Sequence, residues 1–286
     1  MRRAYPFEYT AAPLRTRVMN GFNGPKSYEE FRSFFDRYGG TAELYLRDHY
    51  HRFIRTLEEF DATWEGGTRV LDVGAHCLHQ AVLWSWRGYA LTAVEFPAMF
   101  EDERVRLLAR DCGIALHGCS NLASAVELRA IPANSVDVVI FTEILEHITF
   151  NPIPFWREIH RVLSPGGRVL VTTPNYYSWK GRAWQWVRFL TGHGGGLPID
   201  DVVGLHTYAH HWKEYSLGEV RRYFSRLSPD FVVVKEKRLP TFRHSDTPWK
   251  SAIQKIFDIA PILRPNLHVE IAIPVKAHGI VAEARY

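Results

Sequence analysis

The sequence predicts a doubly wound α/β fold: a mostly parallel sheet of seven strands, preceded by a helical cap and interrupted by a lid insertion. Three observations carry this expectation. Val138-Val139-Ile140-Phe141 is β-branched and aromatic without a polar break, as in a strand buried on both faces of a parallel sheet. Similar runs at 69–73, 90–94, 114–117 and 168–172 alternate with segments of helical period. Two last runs, 231–234 and 268–275, flank a proline-bearing insertion over 240–266 and are expected to pair as an antiparallel edge.

Residues 1 to about 26 carry Pro6, Pro13, Gly21, Gly24 and Pro25 with no sustained period, which predicts an irregular arm. Ser27 followed three residues later by Glu30 is a capping signature, and Tyr28, Phe31, Phe34 and Phe35 recur at helical spacing until Gly39-Gly40. A second helix is predicted from Thr41 to about Phe60, so that residues 1–62 form arm and cap and 63–286 the sheet domain. Strand 69–73 turns at Gly74-Ala75 into a helix ending at Gly88, and strand 90–94 ends in Glu95. A charged helix over 101–112 precedes the strand at 114–117 and the loop Gly118-Cys119-Ser120-Asn121. Strand 138–141 should run into a helix near Thr142. Asn151-Pro152 starts the next helix, since asparagine caps free N–H groups and proline tolerates the first turn. Ser164-Pro165-Gly166-Gly167 ends it before strand 168–172. A lid is expected over about 176–215, with a helix at 179–190 and the glycine-rich loop Thr191–Gly196. Ser216 then caps a helix holding Val220, Tyr223 and Phe224.

Composition sets the boundaries. Hydrophobic residues make up 46% and charged residues 23%, so the chain reads as globular. The net charge of +4 comes without any run of like charge, so a nucleic-acid partner is not indicated. Cys77, Cys112 and Cys119 lack CxxC spacing and cannot all pair, which suits a reduced cytoplasm. No apolar run follows Met1, so neither signal peptide nor membrane span is expected. Trp179, Trp184 and Trp186 cluster as a substrate platform would, although tryptophan more often packs in a core.

If a helix begins near Thr142, Glu143, Glu146 and His147 stand at i, i+3 and i+4, placing two carboxylates and an imidazole on one face at the carboxyl end of a strand. Open α/β sheets bind their ligands there. Glutamate in a first turn also simply complements the helix dipole. His49/His51 and His76/His79 have metal-like spacing without partnered acids and read as packing histidines, and nothing near Cys77 marks a nucleophile. Asp200-Asp201 reads as a solvated acidic pair in the lid.

Val70-Leu71-Asp72-Val73-Gly74-Ala75, the acid Glu95, Phe141-Thr142-Glu143 and Leu163–Val171 occur in the order of the class I S-adenosylmethionine-dependent methyltransferases, and the chain resembles that family over roughly residues 66–235. The resemblance implies S-adenosylmethionine as cofactor, held by Asp72, Gly74, Ala75, His76, Glu95, Phe96, Ser120, Asn121 and Thr142. The family's glycine loop has glycines where this chain has His76 and Leu78, so the loop departs from its pattern. Glu-x-x-Glu-His at 143–147, then Thr173-Pro174-Asn175, then a histidine ahead of Glu214-Tyr215-Ser216 resemble two branches: small-RNA 3′-terminal 2′-O-methyltransferases and ubiquinone-pathway O-methyltransferases. The RNA branch implies a Mg²⁺ held by Glu143, Glu146, His147 and His211, with His206 and His210 as alternatives for the last. Without a metal, His147 and His211 remain the catalytic candidates with Glu143, since imidazole titrates near neutrality.

The expectation is an O-methyltransferase using S-adenosylmethionine, with Mg²⁺ as a candidate second cofactor, acting on a hydroxyl of a sugar, glycan or other polyol. Two alternatives stay open: 2′-O-methylation of an RNA 3′ end, and a catalytically silent scaffold with this fold.

Overall fold

The computed structural model describes residues 27–39, 43–186, 190–192, 196–197, 199–206 and 209–284. The expected arm (1–26), the start of the second helix at Thr41, the glycine-rich centre of the lid loop (193–195) and Thr207-Tyr208 lie outside the described residues.

Seven strands form one sheet: β1 Arg69–Val73, β2 Ala90–Glu95, β3 Ala115–Gly118, β4 Val136–Thr142, β5 Leu163–Pro174, β6 Val232–Leu239 and β7 Asn266–Ala272. Their order is β3-β2-β1-β4-β5-β7-β6, with β1 to β5 parallel and β7 antiparallel to both β5 and β6. The order reverses between β1 and β4, so the carboxyl ends of these two strands open a crevice at the switch point. Val138 to Phe141 are at most 1% exposed, which is why this strand reads as a continuous apolar run.

Among the described residues the α-helices are α1 Tyr28–Asp36, α2 Glu43–Asp61, α3 His79–Trp86, α4 Pro97–Glu101, α5 Glu103–Cys112, α6 Ile153–Val162, α7 Ile199–Gly204, α8 Leu217–Leu227 and α9 Pro248–Ile259. Ser27 and Glu30 form the expected capping box on α1, and Ser216 and Glu219 form another on α8. One apolar cluster lies on each face of the sheet. The first joins β-strand side chains to Phe155, Trp156 and Ile159 of α6 and to Val220 and Phe224 of α8. The second joins Phe31 and Phe35 of α1 and Tyr50, Phe53, Leu57 and Phe60 of α2 to α3 and α5, so the two amino-terminal helices are built into one layer of the sandwich.

Several elements differ from the sequence reading. The charged helix over 101–112 is two helices, because Asp102 is extended and its carboxylate accepts the Arg104 N–H as a fresh N-cap. Of the helix expected over 179–190, the described residues show a 3₁₀ turn, Arg182–Trp184, and helical backbone at Trp186 and Leu190, while 187–189 lie outside the described residues. The Ser164–Gly167 breaker lies inside β5, whose backbone pairs onward with Gly166 in a left-handed conformation (φ +81°). The insertion at 240–266 holds α9, started by Pro248 at its first turn.

Candidate active site

The chemistry collects at the carboxyl ends of β1, β2 and β4. β4 does not continue into an α-helix. Glu143 takes a left-handed backbone (φ +54°), which an α-helix cannot absorb, and only a 3₁₀ turn, Leu145–His147, follows. The shared helical face expected for Glu143, Glu146 and His147 is therefore absent. Glu143 turns toward the amino-terminal layer: its carboxylate accepts the Thr172 hydroxyl at 2.8 Å and pairs with Arg52 of α2 at 3.3 Å.

Glu146, His147 and His211 do converge, each offering a ligand atom within 4.8 Å of the others, and Glu143 falls outside this set. Glu146 is fully buried; one oxygen accepts the Thr173 hydroxyl at 2.9 Å and the other has no hydrogen-bond partner. That orphaned oxygen stands 3.9 Å from His147 Nε2. His147 Nδ1 lies 3.0 Å from the carbonyl of His210, which can only accept, so Nδ1 carries the proton and Nε2 presents its lone pair to Glu146. The rings of His147 and His211 meet edge to face at 4.8 Å. Burial raises the Glu146 pKa well above the usual carboxylate value, with the nearby charge of Glu143 adding to it. Burial also lowers both histidines. A buried cation would reverse that set, so an orphaned carboxylate oxygen facing two imidazoles fits a metal site as well as a proton-transfer site.

His211 is positioned from the lid. Arg182 donates to the carbonyl of His211 and, at 2.6 Å, to that of Trp212, while the Arg182 N–H donates to Glu214 at 2.8 Å. Trp212 N–H in turn donates to the Glu146 carbonyl at 2.8 Å, tying the segment to the 3₁₀ turn. Behind His211 opens a pocket of about 450 Å³ lined by Trp179, Trp184, Asp201, His210 and Glu214, among others. Its volume falls within the range of small-molecule sites. Arg182 and the role of the His210 carbonyl escaped sequence reasoning, because nothing in their local spacing announces contacts with residues 29 and 63 positions away.

The second half of the site lies along the β1 turn. Gly74 has φ +74° and a Cβ there would stand 2.2 Å from Ile144, so glycine serves both the turn and the approach of β4. His76 and Leu78, which replace the family's glycines, keep left-handed backbones (φ +48° and +65°). The loop thus retains glycine-type geometry without glycine. Glu95 accepts the N–H groups of His76 at 2.9 Å and Phe96 at 2.8 Å, and a carboxylate with about four lone-pair sites keeps capacity for two further donors. Asp72 is 2% exposed with one oxygen lacking a partner, and burial followed by the charge of Glu95 pushes its pKa up to about 8. Of the residues expected to hold a cofactor, Asp72, Gly74, Ala75, His76 and Thr142 line one narrow cleft here, together with Gln80. Glu95, Phe96, Ser120 and Asn121 do not line it, although Glu95 joins its rim through the His76 N–H. Ser120 donates to Glu127, and Asn121 caps its own turn through the Ala123 N–H at 2.9 Å. The opposite wall, missed in the sequence, is α2: Tyr45, Arg52 and Phe53. Orphaned polar atoms of Asp72, His76 and Gln80 on this cleft fit a polar ligand.

Residues 71–171 match the family described as a methyltransferase domain. Among solved structures, a chain of the complex between the Haloferax volcanii Trm112 methyltransferase activator and a methyltransferase is 17% identical, with 88% of this chain and 99% of that chain covered and a TM-score of 0.57. The Burkholderia thailandensis 1,6-didemethyltoxoflavin-N1-methyltransferase, solved with S-adenosylhomocysteine, is 15% identical over 86% of this chain and 87% of its own, with a TM-score of 0.54. The [4+2]-cyclase SpnF is 17% identical over 78% and 81%, with a TM-score of 0.50. No curated protein gives a significant sequence match. The seven-stranded sheet with flanking helices is the Rossmann-like methyltransferase fold, and these identities carry the fold alone.

Proposed function

We propose that the chain is an S-adenosylmethionine-dependent O-methyltransferase whose acceptor is a hydroxyl of a sugar, glycan or other polyol. The observation that carries this reading is the convergence of Glu146, His147 and His211 at the end of β4, with a pocket of about 450 Å³ opening at His211. Bound S-adenosylmethionine supplies a methyl group on a sulfonium leaving group. Asp72, Glu95 and the 74–76 backbone would hold it. The pocket mixes tryptophan faces with polar groups of both signs, Lys180 and Arg182 against Asp201 and Glu214, which suits a neutral polar acceptor better than a phosphate chain.

Within this reading, Nε2 of His147 would take the proton of the acceptor hydroxyl that receives the methyl group. Burial supports that role by keeping the imidazole neutral at pH 7. A divalent cation held by Glu146, His147 and His211 would acidify the hydroxyl in place of a base. Two imidazoles and one carboxylate make a borderline donor set, softer than the all-oxygen shell Mg²⁺ prefers, so Mg²⁺ becomes the fitting ion only with Glu143 released from Arg52.

Calorimetry with S-adenosylmethionine and with its demethylated product, followed by transfer of labelled methyl to a panel of polyols, amines and RNA 3′ ends, tests the reading. Binding of both cofactor forms with label on polyols is expected, and His147→Gln should lower kcat by about 10²–10⁴-fold with cofactor affinity retained. Activity lost with chelator and restored by one divalent ion would assign the cluster to metal. Label on amines alone, or no cofactor binding, overturns the proposal.

A further inference from the structure

Helix α9 is built inside out. Its hydrogen-bonding side chains face the protein: Gln254 accepts the Ser245 N–H at 2.7 Å, and Asp258 accepts from Thr241 at 2.9 Å and pairs with His244 at 3.1 Å. Its outward stripe is apolar. Trp249 is 59% exposed, Ile256 62%, Ile259 78% and Ile262, just past the helix end, 52%, with exposed Ala252 completing the 3-4-3 spacing of one helical face. Single exposed hydrophobics are ordinary, whereas a contiguous stripe marks an interaction surface. The stripe is flanked by Lys250, whose ammonium sits 5.4 Å above the Trp249 ring, and by exposed Lys255. Asp258, the helix's one acid, is turned inward, so the outer face carries only apolar groups and cations.

We propose that this face docks on an anionic phospholipid surface. A tryptophan at one end of the stripe, aliphatic side chains along it and lysines able to extend their ammonium groups to headgroups form the pattern of an interfacial helix. Charge decides the surface: two lysines without an outward acid on the helix match anionic headgroups. Area argues against a second copy of the chain, since a stable protein pair uses roughly 20–30 residues and ~800 Å² on each side. No described helix is long and apolar enough to cross a membrane, so the contact lies in the interfacial plane. Phe257 on the inner side of α9 packs against Trp184 of the pocket, at 5.9 Å between rings, which places the docked helix beside the acceptor pocket.

Co-sedimentation of the full chain with vesicles of phosphatidylcholine plus phosphatidylglycerol, and with phosphatidylcholine alone, tests the proposal. The protein should bind the anionic vesicles. Ile256→Glu with Ile259→Glu should lower that binding by at least about tenfold, and Lys250→Gln with Lys255→Gln should remove the preference for anionic lipid. Both pairs are surface changes, so unaltered thermal midpoints certify folded variants. Absence of vesicle binding, or binding indifferent to the isoleucine pair, overturns the proposal. Light scattering supplies a further overturning result: a wild-type dimer that the isoleucine pair converts to monomer, with neither sedimenting, assigns the stripe to self-association.

Discussion

At the residue scale, the β1 turn shows how a chain keeps a glycine geometry without glycine. A left-handed backbone costs a non-glycine residue about 1–2 kcal/mol. Leu78 recovers more than that, because its side chain is fully buried and removal of such a leucine costs about 2–5 kcal/mol. Leu78→Gly is therefore expected to destabilise the protein by about 2 kcal/mol despite relieving the strain, read as a lower urea midpoint at unchanged slope. A net gain in stability would mean that strain outweighs burial. Asp72 carries a pH signature. Its folded pKa of about 8 exceeds the ordinary carboxylate value, so the folded state holds a proton that the unfolded state has released. That contribution is present in full below about pH 4 and is lost as pH rises toward 8. Asp72→Asn removes the titration, so its melting midpoint should gain on the wild type steadily from pH 4 to pH 8, by roughly 10 °C in all, and no further above that. A difference independent of pH would show that Asp72 ionises freely. Gly74, Glu95 and the His147–His211 pair were legible as residues. Arg52 and Arg182, which hold Glu143 and His211, were not, because their partners are set by tertiary approach and no local period encodes it.

At the element scale, strands were readable where both faces are buried, as in Val138–Phe141 of β4 and Val169–Val171 of β5, since burial on both sides writes an uninterrupted apolar run. Capped helices were equally plain: Ser27 with Glu30 and Ser216 with Glu219 mark their starts by chemistry that acts within four residues. The segment after β4 misled because Glu143-Ile144-Leu145-Glu146-His147 has helical spacing, while the backbone at Glu143 is decided elsewhere. Its N–H donates to the Thr172 carbonyl across the sheet at 2.8 Å, and its carboxylate is drawn toward α2. Strain of this kind gathers at functional sites. α9 was hidden for a different reason: its apolar residues face outward, so the pattern that normally reports a core reports a surface instead.

At the scale of the whole molecule, the alternation of strands and helices was enough to give the doubly wound sheet and its antiparallel edge, and it could not tell that α1 and α2 belong to one layer of the core. α2 is fastened at its far end by a network below the sheet edge. Glu59 pairs with Lys235 and Lys237, and buried Glu270 joins Lys235 at 3.0 Å and Arg168 at 2.8 Å. Over the β1 turn the helix presents Tyr45, Arg52 and Phe53, and it is held there by the Arg52–Glu143 ion pair, the Asp48–Arg243 pair at 3.6 Å and the Tyr45 ring against His76 at 4.7 Å. On the proposed function, this cover over the cleft has a kinetic consequence. A molecule the size of S-adenosylmethionine reaches the β1 turn only after the near end of α2 lifts, so the observed association rate should level off at high cofactor concentration, at the opening rate of the helix. Arg52→Ala should raise that ceiling severalfold in stopped-flow fluorescence, whereas an association rate that climbs linearly without limit would show that α2 never gates the cleft. Product release would then share the same gate, making turnover a property of one helix's hinge rather than of the chemistry it covers.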